Sequence, residues 1–178
     1  MLSDVEAQAV RTGARPTVEQ VLGWLHEVAD PEIPVISVVD LGIVRGVRWN
    51  DEELVITITP TYAGCPAMTM IAEEIRKALT ARGVETLRLE TRLSPAWTTD
   101  WLSAKGRANL REYGIAPPVG QRIDISSIRR VPHDEPIVVC PHCGSSNTAL
   151  TSRFGSTACK ALYKCSDCLE PFDYFKPH

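Results

Sequence analysis

Five of the six cysteines stand where sulfur chemistry is expected. Four form two Cys-x-x-Cys pairs, Cys140-Pro141-His142-Cys143 and Cys165-Ser166-Asp167-Cys168, separated by 21 residues. That spacing suits a closed tetrahedral site of four thiolates, for which structural zinc is the commoner occupant and an iron-sulfur centre the alternative. A segment this short buries too little apolar surface to stand without a staple. Paired disulfides are the competing reading, and they conflict with a reducing cytoplasm, the compartment expected of a chain without a signal peptide. Cys159 makes an odd extra: filler, substitute ligand and reactive thiol all stay open, with a small buried hydrophobe the ordinary use.

The fifth is Cys65, within Thr59-Pro60-Thr61-Tyr62-Ala63-Gly64-Cys65-Pro66-Ala67-Met68. An alternating run, Leu54, Ile56 and Ile58 against Val55, Thr57 and Thr59, precedes it, and an amphipathic run follows. Cys65 therefore falls at a strand-to-helix turn, with Gly64 freeing the backbone and Pro66 at the first helical position, where a missing N–H costs nothing. Unpaired N–H groups and the helix dipole favour a thiolate there, so the placement predicts a lowered pKa and a nucleophile or metal ligand. A buried, inert cysteine remains the competing reading.

The elements that must hold these groups follow in order. Residues 1–15 are polar and aperiodic, a mobile leader. Thr17 with Gln20 forms a capping box, followed by apolar residues at helical spacing, Val18, Val21, Leu22, Leu25 and Val28, until Asp30-Pro31. His26 lies beside that stripe and is assigned no role. Prolines 31 and 34 forbid further helix and imply an ordered loop carrying Asp30, Glu32 and Asp40; such acids commonly cap turns, and Asp40, amid hydrophobics, is expected partly buried. A hairpin turning at Asn50-Asp51 comes next. The helix after Cys65 buries Met68, Ile71, Ala72, Ile75, Ala78 and Leu79 and is capped by Gly83. Leu87, Leu89, Thr91 and Leu93 then mark a third, half-buried strand. The result is an α/β (α+β) two-layer domain with a small three-stranded sheet, over residues 16–116. Its last part holds Trp97 and Trp101, read as core before partner surface, and a helix reaching Tyr113-Gly114. Residues 117–136 read as a linker with a short strand at 122–125, and 137–178 as the four-cysteine ribbon.

Bulk composition bounds the function. Apolar residues make up 44% and charged residues 23% of 178, a folded globular balance. Neither a signal peptide nor a membrane-spanning run is present in the sequence, which places the protein in the cytoplasm, away from the membrane. The net charge of -3 gives no footprint for nucleic acid. Within 137–178 four cations (Arg153, Lys160, Lys164, Lys176) meet three acids (Asp167, Glu170, Asp173), too slight an excess for phosphate binding, so the ribbon reads as a protein-docking module. Motifs for a di-iron centre, a dinucleotide or a triphosphate are absent, so oxygen activation and hydride transfer fall to other chains.

Together, Asp30-Pro31-Glu32-x-Pro34 leading to Asp40-Leu41-Gly42, then Gly64-Cys65-Pro66, then Ser94-Pro95-x-Trp97, resemble the SufT-like iron-sulfur cluster assembly domain. The ribbon, with Trp97-Thr98-Thr99-Asp100-Trp101 and the run from Phe154 to Lys160, narrows the resemblance to the PaaD family of the phenylacetyl-CoA epoxidase system, which serves aerobic phenylacetate degradation. The resemblance implies an accessory, maturation role toward the oxygenase component or its iron-sulfur reductase, without catalysis of its own. It also implies Cys65 as the working thiol, accompanied by Asp40 and Glu32, transiently holding iron or an iron-sulfur cluster. Since a cluster takes about four protein ligands, a partner chain or a homodimer must complete the site. A docking component held by the ribbon and the tryptophan segment is the alternative. A thiol-dependent transferase would need a base near Cys65, and no histidine is close in sequence.

Overall fold

The capping box forms as the sequence requires: Thr17 Oγ1 accepts from the Gln20 N–H, and Gln20 Oε1 accepts from the Thr17 N–H at 2.9 Å. It opens helix α1, Val18–Leu25, which buries Val21 and Leu25. The computed structural model describes residues 15–119 and 137–177. The expected leader, apart from Arg15, and the expected strand at 122–125 lie outside them. The chain divides into two units after Trp97.

In the first unit, β1 (Val44–Asn50) and β2 (Glu53–Ile58) form the hairpin, turning through Asp51 at φ 49°. Helix α2 (Met68–Thr80) then returns the chain so that β3 (Leu87–Thr91) pairs parallel with β2. The sheet order is β1-β2-β3. Gly83, at φ 85°, ends α2: its N–H bonds the Thr80 carbonyl, and that of Val84 bonds Leu79, a Schellman closure that β-branched or bulky residues rarely allow. Ile71, Ile75 and Leu79 on α2 are fully buried, as are Leu54 and Ile56 on β2. The parallel register sets Leu87 beside Leu54 and Leu89 beside Ile56. Leu93 departs from the expected alternation, being 62% exposed, because the strand ends at Thr91 and leaves it past the last paired position. Trp97 is core: it is buried, and its indole N–H bonds the Leu41 carbonyl at 3.0 Å.

The second unit is larger than the expected ribbon. A 3-10 turn, Thr99–Trp101, capped by Thr98, leads to α3 (Ala104–Glu112), capped by Ser103. Then β4 (Ile115–Ala116) pairs parallel with β7 (Pro171–Phe175), extending the antiparallel strands β5 (Thr148–Ser152) and β6 (Lys160–Cys165) into a sheet ordered β4-β7-β6-β5. The boundary drawn after residue 116 therefore moves to Trp97, because β7 would otherwise present an unpaired edge and β4 satisfies it. Of the expected linker, 117–119 belong to this unit, and the Val119 N–H bonds the Tyr174 hydroxyl. Among the described residues no helix is long and apolar enough to cross a membrane.

Candidate functional site

Two sites emerge from the cysteines, one closed and one open. In the closed one, each Cys-x-x-Cys turn folds back on its own backbone: the Gly144 N–H bonds the Cys140 carbonyl at 2.9 Å, and the Cys165 N–H bonds that of Glu170 at 3.0 Å. Gly144 sits at φ 78°, and Leu169 occupies the corresponding place after the second pair at φ 65°. The carboxylate of Asp167 ties the turns together by accepting from Ser145 and from Asn147 Nδ2, and these bonds hold its pKa below the ordinary value.

Consequently the four Sγ atoms of Cys140, Cys143, Cys165 and Cys168 lie within 4.8 Å of one another. Two edges measure 3.7 Å (Cys140 to Cys168) and 3.6 Å (Cys143 to Cys165). In a regular tetrahedron such edges put each sulfur about 2.2–2.3 Å from the centre, the length of a zinc–thiolate bond. The donor set thus fits zinc, which would supply a redox-inert crosslink and no chemistry. Backbone donation from Cys168 and Asp167 draws the Cys165 thiol down to about 7. Cys168, although it accepts from the Glu170 N–H, is pushed up to about 12 by desolvation and the neighbouring sulfurs. Cys140 and Cys165 belong to the core of this unit, with Ala116, Val138, Tyr163, Phe172 and Tyr174. Cys159 stands outside the quartet, buried, 3.0 Å from the Thr157 hydroxyl.

The open site is the segment entering α2. Cys65 is partly exposed. The helix proper starts at Met68, two residues later than Pro66 suggested, because the Met68 N–H bonds the Cys65 carbonyl in a tight turn before the first α-type bond, Ile71 to Ala67. Gly64, at φ 104°, is required by the backbone alone, since a Cβ there would meet nothing within 4 Å. The expected lowering of the thiol pKa is outweighed. Desolvation raises it most; the Ala67 N–H and the Thr61 hydroxyl pull it down, while the charges of Glu32 and Asp30 push it up, and the net displacement is upward. The helix start therefore stabilises the thiolate locally while burial and two acids favour the protonated thiol.

Those acids have distinct settings. Asp30 is buried, and its Oδ1 accepts from the N–H groups of Glu32 and Ile33 at 2.8 and 2.9 Å, turning the loop that presents Glu32. Asp40 is buried more completely than the partial burial expected; its Oδ2 lies 2.9 Å from Ser37 Oγ, which donates to it, and 3.4 Å from His26 Nδ1. Ser37 Oγ also accepts from the Asp40 N–H at 3.0 Å, so this trio fixes the turn whose Leu41 carbonyl receives Trp97. Sequence reasoning assigned no role to His26 and did not single out Ser37 or Thr61. Ser37-x-x-Asp40, a serine three residues before an acid, was the signal available for the first pair.

Known proteins bear on both sites. The family model of the iron-sulfur cluster assembly protein matches residues 18–86, and that of the PaaD zinc beta ribbon domain matches 126–176. A protein of Escherichia coli (strain K12), provisionally named as the D component of 1,2-phenylacetyl-CoA epoxidase, is 48% identical over 95% of this chain and 98% of its own length. The Fe-S protein maturation auxiliary factor of Porphyromonas gingivalis is 34% identical over 53% of this chain and 90% of its own. A crystal structure of a domain of unknown function, DUF59, from Bacillus anthracis covers 52% of this chain and 89% of its own at 27% identity, with a TM-score of 0.49.

Proposed function

Because the chain belongs to the PaaD family of phenylacetyl-CoA epoxidase components, we propose that it is a cytoplasmic accessory protein that assists iron or iron-sulfur assembly in the epoxidase's oxygenase or reductase component through Cys65. The observation that carries this reading is the partly exposed thiol at the entrance to α2, whose pKa burial and the charges of Glu32 and Asp30 raise against the opposing pull of the Ala67 N–H and the Thr61 hydroxyl. These groups divide the work of a reversible carrier. Burial and the two carboxylates keep the thiol protonated while it is empty, which protects it from oxidation. The same carboxylates attract a cationic cargo. As iron binds, the thiol gives its proton to solvent and the thiolate coordinates the metal; on release to the client the sulfur takes a proton back. One thiolate and flanking acids are too few ligands to retain a cluster, so the client, or a second copy of this chain, completes the coordination. The small ligand count then favours release. Asp40 supports the site at one remove, by holding the 37–41 turn with Ser37 and His26.

The test replaces Cys65 by Ser, coexpresses all epoxidase components, and measures iron and acid-labile sulfide in the purified oxygenase and reductase. Loss of loading, with the ribbon metal retained, is the expected result; normal loading and activity overturn the transfer role. A purely docking component would leave Cys65→Ser silent. The tryptophan half of that alternative loses support from Trp97, which is 3% exposed and hydrogen-bonded within the core.

A further inference from the structure

The loop joining β5 to β6 is built with more care than a hairpin connection needs. Lys160 is buried and paired with Asp173 at 3.3 Å, and Ser156 Oγ donates to the same carboxylate. A buried ion pair contributes little net stability, but it fixes geometry strongly once formed. Gly155 is required beside it: a Cβ there would come within 2.8 Å of Asp173 Oδ1 and 3.3 Å of Lys160 Cβ. The Gly155 N–H bonds the Lys160 carbonyl at 2.8 Å, and the Lys176 ammonium bonds the Arg153 carbonyl at 3.1 Å. Ser152 Oγ bonds both the N–H and the carbonyl of Phe154. What this latch holds in place is a phenyl ring that is 70% exposed, with Lys176 Nζ 4.7 Å from its centroid. The ring adds nothing to the core of its own unit, yet its backbone is held from both sides, the condition under which an exposed aromatic binds without further ordering cost.

We propose that Phe154, with Arg153 and Lys176, is a protein-docking knob, and that its partner presents an apolar socket rimmed by carboxylates. Charge decides the kind of occupant. Among the described residues Arg153 and Lys176 have no carboxylate partner, Asp173 is engaged by Lys160, and Asp167 and Glu170 lie at the opposite, four-cysteine end of β6. The tip is therefore cationic where the rest of the ribbon, with Lys160 and Lys164 against Asp167, Glu170 and Asp173, carries a slight negative excess. A second copy docking tip to tip would set like charges together. Two cations are too few to hold a nucleic acid by its phosphates. The identity of the partner as another epoxidase component rests on the function proposed above; the knob itself does not involve Cys65.

The experiment measures binding of the full-length, metal-loaded chain to each purified epoxidase component by biolayer interferometry, at about 50 and 300 mM salt. Phe154→Ala is expected to weaken binding by about 10- to 100-fold, the effect of losing one fully buried phenyl ring. The double variant Arg153→Glu, Lys176→Glu is expected to abolish the salt dependence along with most of the affinity. Metal stoichiometry and circular dichroism unchanged from wild type show that each variant is folded. The binding assay uses protein free of iron, in which Cys65 holds no cargo to share with a client, and the iron-loading assay reads the carrier role separately, so failure of the carrier role and failure of the knob are distinguished. Binding of Phe154→Ala within twofold of wild type overturns the proposal. So does a wild-type chain that binds no component at about 10 µM, or one whose Phe154-dependent contact is with itself or with anionic vesicles.

Discussion

Removing the ribbon metal should unfold the second unit and leave the first intact. Structural zinc sites of this ligand type bind with about 10–16 kcal/mol at a 1 M standard state, so about 1 µM free metal stabilises the holding fold by about 2–8 kcal/mol. Against this, folded domains retain only about 0.05–0.15 kcal/mol per residue, a few kcal/mol for a unit of this size. The core available without metal is small, and two of its buried members, Cys140 and Cys165, are themselves ligands. Losing the ion leaves their sulfurs crowded at 3.6–3.7 Å from their partners with no cation between them. The metal contribution is therefore comparable with the unit's whole stability. Hydrogen exchange by mass spectrometry reads this directly. In chelated protein, or in Cys165→Ser, amides of β6 and β7 should exchange at near-unfolded rates, and those of β4 with them, because among the described strands β4 pairs only with β7. Amides of β2 and α2 in the first unit should keep their protection and serve as the internal reference. Cys159→Ser is the control: its sulfur is buried beside Thr157 and outside the quartet, so metal stoichiometry should stay at one and stability fall by about 1 kcal/mol. A metal-dependent fold is ruled out if β6 and β7 are as protected in chelated protein as in the loaded form, and metal loss from Cys159→Ser would overturn the assignment of the quartet.

Other outcomes follow from the same geometry. Leu169→Gly should raise the melting temperature of the second unit by a few degrees, because a leucine at φ 65° that is 65% exposed carries left-handed backbone strain without compensating packing. Gly114→Ala should lower the unfolding free energy of the same unit by about 1–3 kcal/mol in chemical denaturation, since φ is 90° and a Cβ would lie 3.0 Å from His142 Cε1 beside the first Cys-x-x-Cys turn. For Cys65, the folded pKa stands above the ordinary thiol value. Its contribution to stability is therefore complete below that ordinary value and is lost as pH rises through the folded one. The rate of iodoacetamide labelling should climb to its plateau at higher pH than for an unstructured cysteine, and Glu32→Gln should shift that profile to lower pH; an unshifted profile counts against Glu32 acting on the thiol.

What could be read from the chain, and what could not, divides along the range of the interaction responsible. Helix α1, the hairpin and α2 follow from local periodicity and from caps within four residues, Thr17 with Gln20 and Gly83 after Leu79, so spacing alone locates them. The metal quartet is also legible, though its halves lie 21 residues apart, because each half is a local motif. The boundary at Trp97 depends on β4 pairing with β7, a two-residue strand recruited from more than fifty positions away, for which no periodicity exists to detect. The sign at Cys65 failed for a related reason. Helix-start donation is a local effect visible in Gly-Cys-Pro, whereas burial is a property of the folded chain and the charges of Glu32 and Asp30 come from a loop more than thirty residues earlier; burial is the largest effect and the net displacement is upward. The same folding that brings the acids to the thiol turns a site suited to permanent thiolate reactivity into one suited to a protonated thiol that ionises when a cation arrives. A carrier needs that property more than a nucleophile does, so the discrepancy at Cys65 favours cargo handling over the thiol-dependent transferase.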